Sequence, residues 1–267
     1  MPDLRWTLPV ASWSSTTTTA PKLDFIDPMV RRRLSALSKM ALSVAHDCAH
    51  ARPEVRLVFA SRHGELQRTT AILNDIEARE PVSPNAFSLS VLNAMSGIYG
   101  IARHDRSPAT AVAAGAQTLG YALLEAHAQY SEDPSTPVLV VYADVPADPV
   151  YGSVEQEVTQ GAVAILIDAK HAPLGHLDCA VMATNAALIA ASSATSSAAA
   201  HVTSPADPDA AFATQSEALQ RCLESGRPTM WHDTGSTWHW GWSPVADARE
   251  INGLSAAHER GQHAGTV

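Results

Sequence analysis

No stretch of the chain reaches the roughly 18 consecutive apolar positions that a helix needs to cross a bilayer, so no membrane span is expected. Basic residues are also short: 18 Lys and Arg stand against 27 Asp and Glu, a formal net charge of −9. That balance excludes a general nucleic-acid or anionic-membrane binder, because phosphate binding needs clustered cations. Cysteine is limited to Cys48, Cys179 and Cys222, far apart and with no CxxC pair. The three read as buried, reduced thiols of a cytoplasmic protein, neither a disulfide framework nor a zinc site. The opening MPDLRWTLPVASWSS lacks a basic segment followed by an apolar run, so no signal peptide is expected there. Phe and Tyr are scarce while alanine is abundant, which favours close helix packing over an aromatic-rich β-sandwich. GxGxxG, GxxxxGK[ST] and GxSxG are all missing, which removes dinucleotide, P-loop and serine-hydrolase signatures.

What is present reads as alternating strands and helices. LRWTLPVASW (4–13) has strand character despite Pro9, which implies an edge or a bulge. From Pro28, the apolar positions Leu34, Leu37, Ala41, Val44 and Cys48 recur at three- and four-residue steps, predicting one amphipathic helix of about five turns. VRLVFAS (55–61) is a buried strand, RHGELQRTTAILNDI a helix ending before Pro81, and 87–101 a third helix. A strand at 109–113 leads into a helix at 116–129. PVLVVYADV (137–145) and AVAILID (162–168) are strands with unbroken apolar runs. The pattern predicts an α/β fold with a mixed sheet covered by helices. Beyond 180 the text becomes Ala/Ser-rich, read as a helix and a mobile loop. SEALQRCLESG is a helix closed by glycine, STWHWGW (236–242) alternates like a terminal edge strand, and 245–267 is expected to be a disordered tail.

Few residues invite chemistry. His46 and His50 have metal-ligand spacing on a helix but no HExxH, and they read as surface histidines. His232 and His239 lie in the Trp-rich segment and read as part of a strand. Arg31, Arg32 and Arg33 read as a solvated helix face. Asp144, just past the strongest strand, stands where α/β proteins place functional groups, yet a structural cap is the plainer expectation. The segment SPATAVAAGAQTLGYALLEA (107–126) turns from strand to helix through small residues. Such a turn aims backbone N–H groups and the helix dipole at one point, which favours a thiolate or anion there. Here the turn holds Val112, Ala113, Ala114 and Gly115, none of which can attack or accept a proton. Composition leaves two readings: a close-packed helix start, or a nucleophile elbow without its nucleophile.

The order of these segments resembles the N-terminal half of the β-ketoacyl synthases, thiolase-like condensing enzymes of fatty acid and polyketide synthesis. TAVAAGAQTLGYALLEA is similar to the family's cysteine–small–small–Gly turn and helix, with Gly115 and Gly120 on the family's glycines and Val112 at the cysteine. VSPNAFSLSVLNAMSGIYGI (82–101), VRLVFASRHGEL (55–66), VLVVYADVPADP (138–149) and QGAVAILID (160–168) resemble further family segments in the same order. The likeness spans about 29–170. It departs from the family in lacking the nucleophile and the two histidines of the C-terminal half; HDTGS (232–236) echoes one histidine motif only superficially.

The resemblance implies a truncated thiolase-like fold: a ketosynthase-like domain over 1–180, a reduced C-terminal part over 181–244, and the tail. It implies a chain-length factor, similar to the short subunits of aryl polyene clusters. Such a subunit is not an enzyme by itself and uses no cofactor or metal. It would pair as a heterodimer with an active β-ketoacyl-ACP synthase, meet the acyl carrier protein only indirectly, and shape the acyl tunnel. Phe87, Val91, Leu92, Met95, Val112 and Gly115 are its implied tunnel or interface residues. Two alternatives stand beside it: a diverged acyltransferase or hydrolase using Ser107, Thr110 or a histidine, and a stand-alone acyl-binding scaffold.

Overall fold

The computed structural model describes residues 3–171, 173–183, 212–233 and 235–245. The Ala/Ser-rich helix and loop, and the tail expected from 245, lie outside the described residues apart from Val245. The strands are β1 (Leu4–Thr16), β2 (Arg56–Ala60), β3 (Ala109–Val112), β4 (Val138–Asp144), β5 (Gly161–Ile167), β6 (Gly175–Ala183), β7 (Thr229–His232) and β8 (Ser236–Pro244). The helices are α1 (Pro28–Arg31), α2 (Ala36–Ala49), α3 (Leu66–Glu77), α4 (Pro84–Ser88), α5 (Ala94–Arg103), α6 (Thr118–Glu132) and α7 (Gln215–Ser225).

Among the described residues all eight strands join one mixed sheet in the order β3-β2-β4-β5-β1-β6-β8-β7. Only β3, β2 and β4 are parallel to one another; the remaining pairs are antiparallel. On one face α6 lays Leu119, Ala122, Leu123 and Ala126 onto the sheet, where a cluster continues to Trp231, Trp238 and Trp240 beside α7. On the other face α2 and α5 cover β2, β4 and β5. Covered on both sides, β4 is buried along its whole length, which explains its unbroken apolar run.

Several expectations are corrected. Pro9 is not on an edge, since β1 lies between β5 and β6; the bulge alternative holds, with the register shifting between Val10 and Ser12. Pro9 sits at the end of β5, where its carbonyl still accepts from Asp168 N at 3.0 Å, so the missing N–H costs the ladder little. The five-turn helix from Pro28 is two helices, because Ser35 Oγ accepts from Ser38 N and starts α2 afresh. The helix expected over 87–101 is also two. Ser83 caps an earlier start at Pro84, and the Ser88 and Ser90 hydroxyls donate to the carbonyls of Asn85 and Phe87. These local bonds compete with helix continuation, and α5 begins only at Ala94. The Trp-rich strand β8 is interior rather than an edge, because β7 pairs outside it and Trp238 and Trp240 close onto the helical layer.

Candidate functional site

The parallel strands β3, β2 and β4 end side by side, at Val112, Ala60 and Asp144. Ser61, directly after β2, donates its N–H to the carbonyl of Val112 at 3.2 Å. The turn that follows is built on Asp144, which is fully buried. One carboxylate oxygen accepts from Ser61 Oγ at 2.7 Å and His63 N at 3.0 Å, and the other from Arg62 N at 2.7 Å. Ser61 Oγ accepts in turn from Gly64 N at 2.8 Å, and Gly64 takes φ +55°. Burial pushes the Asp144 carboxyl above its ordinary range, opposed by these hydrogen bonds. Asp144 is therefore a turn cap, as the plainer reading of the sequence expected. His63 then pairs with Glu157 at 2.7 Å, and Arg62 holds the carbonyls of Glu155 and Gln156, clipping the 147–158 loop over the strand ends.

Beside this turn lies the elbow. After Val112 the chain passes through Gly115, at φ +59°, into α6. A Cβ on Gly115 would meet nothing within 4 Å, so glycine is needed there for its left-handed backbone and not for space. Thr118 Oγ1 donates to Gly115 O at 2.7 Å and accepts from Ala114 N at 2.9 Å, locking the turn. Gly120 answers the opposite need. A Cβ there would stand 2.4 Å from the Trp238 ring, and its N–H donates to Gln215 Oε1 at 2.8 Å. Gln117, at the N-terminus of α6, accepts from Trp238 Nε1 at 3.1 Å and donates to Asp233 Oδ2 at 2.8 Å.

The expected site residues divide among three places. Val112 and Gly115 sit in the elbow, Val112 half-buried against the α6 core. Leu92 packs onto the turn after β2, its Cδ1 3.1 Å from where a Gly64 Cβ would stand. Phe87 and Val91 are exposed at 66% and 49%, whereas Met95 is buried in the α2–α5 core. Sequence reasoning missed Gln117, Gln215, His63 and Glu157. It also set HDTGS aside, yet the β7–β8 turn lands on the elbow through Asp233. His232 does not follow it there: beside the buried Trp231 it faces the opposite way and bonds Thr237 Oγ1 at 2.9 Å.

Chemically, the turn residues Val112, Ala113, Ala114 and Gly115 carry no side chain that can attack or accept a proton. All three cysteines are buried free thiols: burial pushes Cys48 up to about 12 and Cys222 to about 11, and raises Cys179 well above its usual value. Thiols held protonated this way are inert. Thr110 Oγ1 accepts from Gln129 Nε2, and among the described residues no hydrogen bond joins Ser107 or Thr110 to a histidine. His46 stacks on Phe25 at 3.9 Å, next to His50. No group of three or more potential metal-ligating side chains occurs among the described residues, and no helix among them is long and apolar enough to cross a membrane.

A family model described as β-ketoacyl synthase, N-terminal domain, matches residues 5–241. Among solved structures, a chain from "Ketosynthase (ApeO) in Complex with its Chain Length Factor (ApeC) from Xenorhabdus doucetiae" superposes with a TM-score of 0.66 at 20% identity, covering 88% of this chain and 99% of that one. A chain from "The ishigamide ketosynthase/chain length factor" gives 0.57 at 14% identity, covering 84% of each. At these identities the likeness is one of fold. No curated protein matches the chain.

Proposed function

The chain belongs to the β-ketoacyl synthase family, whose N-terminal domain it carries in a thiolase-like fold, and from that premise we propose that it is a non-catalytic, chain-length-factor-like subunit. It pairs with an active β-ketoacyl-ACP synthase and shapes the tunnel for the growing acyl or polyene chain, meeting the carrier protein only through that partner. The observation that carries this reading is Val112: the elbow keeps its glycine turn and helix, but a hydrocarbon stands at its strand end. The fold neighbours support it, since the complexes they come from are described as ketosynthases with chain-length factors.

Phe87 and Val91 supply exposed apolar surface to the partner, and Leu92, Val112 and Gly115 border the tunnel. Met95 lies behind them in the core, where a bulkier side chain would shorten the product by pushing the wall inward. The reading places the protein in the cytoplasm, where three unpaired thiols stay reduced.

Co-expression with a separately encoded ketosynthase tests the proposal. The two chains should purify as a heterodimer whose condensing activity depends on the partner's cysteine, and the chain alone should turn over no acyl thioester. Thioester turnover by the isolated chain would defeat the reading.

A further inference from the structure

A second concave site lies apart from the elbow, between the segment leading into α1, the end of α4 with Asn85 and Leu89, and the outer side of α5. Its cavity has a volume of about 430 Å³, within the range of small-molecule sites. Phe25, Ile26, Val30, Ile98, Ile101 and Ala102 form an apolar wall, and no lining residue takes part in the hydrogen bonds of the elbow or the Asp144 turn. Ile101, on its rim, is 77% exposed, an apolar area that a bound apolar group would cover.

The polar rim holds Asp27, Arg33, Asn85 and His104. Asp27 lines the cavity, but its carboxylate accepts from Met29 N at 2.8 Å and Val30 N at 3.3 Å, so it is committed to capping α1. Within the basic run, Arg31 is held by Asp24 and by the carbonyl of Leu23. Arg33, by contrast, reaches the cavity, and its guanidinium has no hydrogen bond or ion pair among the described residues. His104 also lines the cavity, at a left-handed residue (φ +55°) that ends α5. Its N–H donates to Ile101 O at 3.3 Å, and the following Asp105 N donates to Gly100 O at 3.0 Å. The uncommitted hydrogen-bonding groups at the mouth thus include a fixed cation and an imidazole, in a protein whose net charge is −9.

We infer that this cavity binds a small amphiphilic anion: an alkyl or aryl group against Phe25, Ile98 and Ile101, and a free carboxylate at Arg33 and His104. A guanidinium complements a carboxylate in charge and fork geometry. A neutral thioester has no such charge, so the ligand differs from a chain carried at the elbow, and the inference does not depend on the chain-length-factor reading.

The test uses the full chain with decanoate as probe and 1-decanol as its uncharged counterpart, followed by NMR shift mapping and titration. Decanoate should saturate with shifts centred on Phe25, Ile98 and Ile101, and bind about tenfold more tightly than the alcohol, the equivalent of about 1.4 kcal/mol. Arg33→Gln should abolish that preference. Ile101→Glu should weaken decanoate at least as much, and because that side chain is exposed the fold should persist. Val150→Glu, an exposed apolar position outside the cavity, should leave binding unchanged. Failure to saturate by about 1 mM, or binding that both cavity variants leave intact, would overturn the assignment.

Discussion

Two carboxylates near the elbow respond oppositely to pH. Partial burial pushes Glu157 up, but the hydrogen bond from His63, the N–H of Val158 and the charge of His63 outweigh it, and its folded value lies below the ordinary 4.5. A lowered folded value contributes stability that is complete above 4.5 and is lost as pH falls through the lowered value. The gap in urea stability between the native chain and Glu157→Gln should therefore be full at neutral pH, close below 4.5, and stay within about 1 kcal/mol because the pair is partly solvated. Asp144 runs the other way. Its raised value means that protonation favours the fold, with a contribution present below the ordinary 3.8 and lost as pH rises through the raised value. Removing the acceptor altogether, in Asp144→Ala, leaves the donors of Ser61, Arg62 and His63 stranded and should cost about 3 kcal/mol by chemical denaturation. At Val112 the expectation concerns activity: Val112→Cys restores a thiol to the elbow but supplies no histidines. Condensation by the purified variant should stay at background, and turnover would undo the reading of the elbow as bare of its other catalytic parts.

At the scale of elements, glycines in helices separate into those required and those tolerated. Gly120→Ala puts a methyl group into the Trp238 ring and should destabilise the chain by about 1–3 kcal/mol or more, because α6 cannot withdraw without opening the core. Gly97→Ala in α5 meets nothing within 4 Å and should instead stabilise by about 0.5–1 kcal/mol, the backbone-entropy difference. Thermal unfolding of the pair decides between them, and equal effects would sink the close-approach argument. The sequence reads Gly97 as a close-approach glycine and Gly120 as matching a family glycine, but only at Gly120 does a neighbour crowd the backbone. The existence and type of most elements was legible because β4 and β5 are unbroken apolar runs and α2 repeats its apolar positions at helical spacing. Their boundaries were less so. Ser35 restarts a helix and Ser83 starts one early, each through a single capping bond, a signal weaker in the text than the apolar period around it.

For the whole molecule, the apolar surface around α3 and α4 is the one the proposed function assigns to a partner. Leu73, Ile76, Phe87 and Val91 are each about half exposed or more. Phe87→Asp should leave the stability of the isolated chain within about 0.5 kcal/mol, as exposed substitutions do, while reducing recovery of the ketosynthase heterodimer. Recovery at the native level would remove Phe87 from the interface. Met95→Trp is a less clean probe, since overpacking the α2–α5 core costs about 1–3 kcal/mol by itself. Product lengths from that variant are to be read only beside its melting curve.

Local sequence determined the strand and helix types, the small-residue turn at 112–115 and the lack of a side chain there that could attack. These follow from side-chain chemistry and periodicity, which act over a few residues. Tertiary structure alone decided what surrounds that turn. Asp144 comes to Ser61 across 83 positions of chain, Trp238 to Gln117 across 121, and Asp233 reaches the elbow while its neighbour His232 turns away. Such meetings depend on strand order and on which face of a strand a residue takes, and those are set by closure of the whole sheet around two cores.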